Sequence, residues 1–157
     1  MNRTNIETTI AILRRAQNFD ISSFQGARRA PYENVDTEEE LHKCGNTACI
    51  AGYVAISPEW IAFGGDVDHG GPSLNGSDYE DAMAVFWDIP VEDASGIIYG
   101  DSSLERTLDR YSIEGIDPDK WSQLTKEDAI SIFEQMLAHG PAPDIEPYPE
   151  DEEDDGC

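Results

Sequence analysis

A chain of 157 residues is long enough for one domain to bury a core without a metal or a disulfide staple. Its 33 Asp and Glu against 10 Lys and Arg give a formal charge of −23, a field that repels phosphate and so excludes nucleic acid and anionic membranes as direct ligands. No apolar run reaches the roughly 18 residues of a membrane span, no signal peptide opens the sequence, and three cysteines are an odd and sparse set, which together predict a reducing cytoplasm.

Thr4-Asn5-Ile6-Glu7 has the form of a capping box, and Ile6, Ile10 and Leu13 recur at offsets of a helical face, so an amphipathic helix is predicted from there to about Gln17. Phe19, Ile21 and Phe24 anchor a turn on the core. Residues 25–43 have little periodicity and read as an exposed loop holding Arg28-Arg29 and Glu38-Glu39-Glu40. The uncharged run from Cys44 to Ile56 reads as the central buried helix. Asn46 or Thr47 is its expected cap, Ser57-Pro58 its stop, and Ala48, Ala51, Gly52 and Ala55 give it a small face. Pro58 to Phe63 reads as a short helix or an extended piece, and the glycines, Pro72 and Asn75 of residues 64–77 as a long loop.

Ser77-Asp78-Tyr79-Glu80 is a second capping box, followed by a helix with Tyr79, Ala82, Met83, Phe86 and Trp87 on one face. Pro90 opens the next, with Val91, Ala94 and Ile98 facing inward and Gly100 as its stop. A short helix from about Ser103 carries Leu104, Thr107, Leu108 and Tyr111. The last begins at Thr125, buries Ala129, Ile132, Phe133, Met136 and Leu137, and stops at Gly140-Pro141. The predicted architecture is mainly α: a compact bundle of about six short helices around a central buried helix, in one domain over residues 1–140. Residues 141–157 form an acidic, Pro-rich tail expected to be disordered.

The charge is lopsided. Residues 1–43 carry 7 acids and 6 bases, whereas residues 44–105 carry 11 acids and neither Lys nor Arg, and residues 144–157 add 8 acids with no base. Three explanations compete: solubility or adaptation to a salty cytoplasm, mimicry of a phosphate backbone that fills the basic groove of a nucleic-acid-binding protein, and divalent cation binding.

Three chemistries can be tested on the residues. His42, Cys44, Cys49 and His69 could in principle supply a tetrahedral zinc, but the spacing is not that of a knuckle and Cys49 falls in the predicted core, so no metal is assigned. A thiol nucleophile at Cys44 or Cys49 with His42, His69 or His139 as base lacks a hydrolase pattern, and the negative field opposes a thiolate. Asp66-Val67-Asp68-His69-Gly70-Gly71 fails as an EF-hand loop, because Gly70 and Ser77 stand where ligands are needed. No catalytic residue and no cofactor is predicted.

The segment Cys44-Gly45-Asn46-Thr47-Ala48-Cys49-Ile50-Ala51-Gly52 and the Thr125-Lys126-Glu127-Asp128-Ala129 start of the last helix resemble an uncharacterised group of small phage, prophage and plasmid proteins. Its signature is Cys-Gly-Thr-x-x-Cys-Ile-Ala-Gly, with Asn46 here in place of the Thr. The resemblance also takes in Ile6 to Leu13 and Val91 to Tyr99, and it implies an accessory protein of a mobile element in the host cytoplasm, with no activity to carry over. Combined with the charge, the leading expectation is an acidic binding protein that mimics nucleic acid and inhibits a basic host protein, such as a restriction or CRISPR effector. Its contact residues would be Asp78, Glu80, Asp81, Asp88, Glu92, Asp93 and Asp101. The alternatives are a thiol- or zinc-dependent enzyme centred on Cys44, Cys49 and His42, and an acidic structural or regulatory protein of a halophilic or marine virus.

Overall fold

The structure, a computed structural model, describes residues 1–22, 47–68 and 71–142, the side chains of Asp68 and Asp78 excepted. It is mainly α, as the periodicities predict. In chain order the described elements are α1 (Arg3–Arg15), α2 (Ile50–Ala55), α3 (Pro58–Phe63), β1 (Asp66–Asp68), β2 (Gly71–Leu74), β3 (Ser77–Asp78), α4 (Tyr79–Trp87), α5 (Val91–Tyr99), α6 (Leu104–Arg110), a 3-10 helix (Pro118–Gln123) and α7 (Lys126–His139). The predicted loop of residues 25–43 with its Arg28-Arg29 pair, Phe24 and the tail from residue 143 lie outside the described residues.

The middle of the fold is α2. Every residue from Ile50 to Ala55 is buried, and the helix packs against α1, α3 and β2. It is shorter than the uncharged run suggests. Cys49 is its N-cap residue and makes no side-chain cap bond, while Ala48 is drawn into a parallel bridge with Phe19 through Ala48 N–H to Asn18 O at 3.2 Å and Asp20 N–H to Ala48 O at 3.1 Å. Thr47 therefore does not cap the helix, because pairing with the segment after α1 holds the backbone extended there.

The capping box at Thr4 is also superseded. Asn2 caps α1, its side-chain oxygen accepting from Asn5 N–H at 3.2 Å, and Glu7 pairs instead with Arg3. This start is fastened to the end of α4. Asn2 N–H donates to Trp87 O and the Asn5 amide to Phe86 O, both at 2.7 Å, which satisfies two carbonyls that have no partner inside their own helix. The Trp87 indole N–H donates to the buried Thr9 hydroxyl at 2.9 Å, and that hydroxyl donates to Asn5 O. One polar chain thus locks α1 to α4 within an otherwise apolar core.

Residues 64–77 are not a structureless loop. They form a three-stranded antiparallel sheet in the order β1-β2-β3, with Asp66 opposite Ser73 and Leu74 opposite Ser77. The second turn is Asn75-Gly76, both at positive φ, +53° and +84°, as the two-residue turn of a tight hairpin requires. Pro72 stands opposite Val67 of β1 but beyond the reach of β3, which pairs only with Ser73 and Leu74, so on the β3 side its missing N–H costs no ladder bond. Ser77 and Asp78 are taken into β3 and do not form the predicted capping box.

Toward the C-terminus, α7 starts with Thr125 and Asp128 in a reciprocal capping box, and Gly140 ends it. The 3-10 helix before it was not expected from the sequence; Trp121 buries its ring there. Gly100 closes α5 in the left-handed region at φ +63°, and a Cβ on it would fall 2.1 Å from the Trp121 ring. We therefore expect Gly100→Ala to cost about 2–5 kcal/mol, combining a left-handed alanine of about 1–2 with overpacking of about 1–3. Gly115→Ala, also at positive φ but facing open space, should cost only the first part. Urea midpoints of the two variants check this; equal losses would place the Trp121 contact in error.

Candidate binding face

The predicted contact residues cluster on α4, α5 and the link to α6, and most of them first serve their own helix. Glu80 and Asp81 occupy the first turn of α4, Glu92 and Asp93 that of α5, where negative charge meets the positive end of the helix dipole. Asp101 sits ahead of α6. Its carboxylate accepts from Ser103 N–H at 2.8 Å, from Ser95 Oγ at 2.6 Å and from Ser103 Oγ. Partial burial works to raise the Asp101 carboxyl, but the Ser103 and Ser95 bonds outweigh it and hold it below the ordinary range.

Asp93 is the correction to the predicted set. It is 1% exposed, lies 3.2 Å from Arg110 Nη1, and accepts from the Thr107 hydroxyl at 3.1 Å and from the Tyr111 phenol at 3.3 Å. The reason is helical geometry: the buried face of α5 includes Asp93, Ala94, Ile97 and Ile98, so the acid one turn before Ile97 points inward. Burial, then the Asp93 charge and its hydrogen bond, push the Tyr111 phenol well above its ordinary value. This cluster ties α5 to α6 and is closed to a partner. The signal was available in the sequence as the i, i+4 pair Asp93 and Ile97, with Arg110 on the next helix as a counter-ion.

The other six divide. Asp78 lies in β3 opposite Ser73. Glu80 is half-buried and accepts from the Tyr99 hydroxyl at 2.7 Å. Asp81, Asp88, Glu92 and Asp101 are exposed. Asp88 lies 3.3 Å from the Met1 ammonium, an exposed pair of the kind that contributes little. No Lys or Arg among the described residues pairs with Asp81, Glu92 or Asp101. Three described arginines pair with other acids: Arg14 with Glu134, Arg15 with Glu59 through two bonds of 3.0 and 2.7 Å, and Arg110 with Asp93.

Sequence reasoning missed the apolar part of this face. Val85 is 57% exposed, and Val91, predicted to face inward with Ala94 and Ile98, is instead 40% exposed; the two line an open groove of about 480 Å³ with Asp81, Ala84, Asp88 and Ile89. The groove is built by the end of α4. Asp88 turns left-handed at φ +52°, which brings Ile89 N–H back to Ala84 O at 3.1 Å and sets Ile89 beside Ala84 at the bottom of the depression.

The cysteine site is answered only in part. Cys49 is 2% exposed, and burial, opposed by the backbone N–H groups of Gly52 and Ala51, pushes its thiol up to about 11. Such a thiol is protonated at neutral pH and is no nucleophile. His42, Cys44, His69 and Cys157 lie outside the described residues. No group of three or more His, Cys, Asp or Glu among the described residues is placed to hold a metal, and no described helix is long and apolar enough to cross a membrane.

No family model matches the chain, and no curated protein or solved structure is similar to it. The resemblance to the phage and plasmid group accordingly rests on its motifs, and the class defined by the fold is a mainly α protein with an acidic, partly apolar face.

The Cys49 thiol gives a pH prediction. Its folded value is raised, so its contribution to stability is fully present below the ordinary thiol value and is lost as pH rises toward about 11. Over that window we expect the wild type to lose on the order of 3 kcal/mol more than Cys49→Ala does. Urea midpoints between pH 8 and 11 check it; parallel pH profiles would show that Cys49 ionises freely.

Proposed function

We propose that the protein acts by binding, and that the exposed carboxylates of α4 and α5 dock a basic protein surface of the kind nucleic acid occupies. In this reading it is an accessory protein of a mobile element and inhibits a host nucleic-acid-binding or defence protein. The observation that carries the proposal is the set Asp81, Asp88, Glu92 and Asp101, exposed on α4 and α5 or at the residues just past their ends, within a stretch that has no Lys or Arg. Net negative charge steers a partner of the opposite sign over distances near the Debye length, and a folded array of carboxylates competes with phosphate for the same arginines and lysines.

A second reading has its own support. Acids at the first turns of α4, α5, α6 and α7 stabilise those helices without any partner, which is what an acidic structural protein adapted to salt requires. A thiol enzyme loses one of its three residues, since Cys49 is buried and protonated.

One experiment separates the first two. The protein, immobilised and exposed to host lysate, should retain a nucleic-acid-binding protein at low salt, release it at high salt, and yield it to competing duplex DNA. The variant Asp81→Asn/Asp88→Asn/Glu92→Gln should lose that capture by about tenfold or more while keeping its helical content, on the scale of a few screened charge pairs. If the wild type retains no nucleic-acid-binding protein even at low salt, mimicry is wrong and the structural reading stands.

A further inference from the structure

We infer that the groove between α4 and α5 takes a basic amphipathic helix, one that carries an aliphatic anchor flanked by cations one heptad apart. The inference rests on the proposed docking role of this face and names the partner's chemistry. Asp81 and Val85 stand at i and i+4 of α4, and Asp88, the left-handed residue just past its end, lines the same groove, so acid, apolar and acid groups edge one depression. Val91 at the start of α5 faces the same depression, and Ala84 and Ile89 form its apolar bottom. Two valines left open to water gain by being covered, while the carboxylates at either end exclude an uncharged or acidic occupant.

The dimensions select a helix. From Asp81 to Trp87 the helix rises about 9 Å and Asp88 follows directly, so the two acids edge a groove about as long as two turns of a partner helix, which presents side chains seven residues apart over that interval with those at i+3 and i+4 between them. Arg or Lys at the two outer positions meets Asp81 and, in place of the exposed Met1 ammonium, Asp88, and Leu or Met at an inner one covers Val85 and Val91. A second copy of this chain does not fit, because it brings the same negative face and a charge of −23 to a groove already edged by acids. Duplex DNA and anionic lipid are repelled for the same reason.

The test uses the whole protein and three fluorescent helix-forming peptides of about 18 residues, long enough to be helical. One carries Arg seven residues apart with Leu at the inner positions, one has those Leu replaced by Gln, and one is a scramble of the first. Fluorescence anisotropy should give binding of the first at least about tenfold tighter than either of the others, the scale of covering one or two aliphatic side chains. Val85→Asn should abolish that preference and Asp81→Asn should weaken the first peptide, both exposed substitutions that leave the circular dichroism spectrum unchanged. Equal binding by all three peptides overturns the inference while leaving an electrostatic docking face intact. Failure of all three, with lysate capture preserved, overturns it as well, and failure of both experiments removes the docking role on which it rests.

Discussion

The complete burial of α2 is the constraint on which the rest depends. A helix of six residues is far below the length at which helices persist alone, because the cost of nucleation is recovered over only one or two hydrogen bonds. Its stability must come from its surroundings, and the surroundings are accordingly specific. Ala51, Gly52 and Ala55 keep the helix slim; α1, α3 and β2 close around it; and Ser57 ends it while its hydroxyl also caps α3 by accepting from Trp60 N–H. The Phe19–Ala48 bridge supplies the extended approach, and the Tyr53 hydroxyl reaches back to Asn18 N–H at 3.1 Å. The bond chain through Asn5, Thr9 and Trp87 then sets α4 against α1, and with it the orientation of everything α4 presents to solvent.

The acid-rich stretch follows from that frame. With no Lys or Arg between residues 44 and 105, the helices there rely on their own dipoles, capping hydrogen bonds and cations brought from outside the stretch, Arg15 at Glu59, the Met1 ammonium at Asp88 and Arg110 at Asp93, to settle their carboxylates. Asp93 shows the cost of sending an acid inward: it takes Arg110, Thr107 and Tyr111 together to satisfy it, and removal of a single partner from such a buried group is expensive. The acids that remain outside have no such closure. Two of them, Asp81 and Asp88, line a groove with two exposed valines, so acidic and uncovered apolar surface meet there.

Much of the fold was legible because local signals agreed with tertiary packing. The stop at Gly100, the start of α6 at Ser103 and the Thr125 start of α7 all coincide with apolar periodicity and are found where the sequence puts them. The misplacements occur where a neighbour offers the backbone a better partner. Thr4 yields to Asn2 because Asn2 and Asn5 also reach the end of α4; Thr47 loses its capping role to the Phe19 bridge; Ser77 and Asp78 join a strand pair. The Asn75-Gly76 dipeptide was the available sign of the hairpin. Counting carboxylates located the candidate face but not its internal structure, since composition does not say that Asp93 turns inward or that Val85 turns out.

The central claim, that α4 and α5 carry a discrete docking face, is tested most directly by nuclear magnetic resonance with isotope-labelled protein and a short arginine-rich peptide. A docking face on α4 and α5 gives backbone amide shifts concentrated in residues 81–92, with little change at Glu127 and Glu134 on α7, although those carboxylates are exposed too. Shifts spread evenly over every acidic segment of the chain would contradict it.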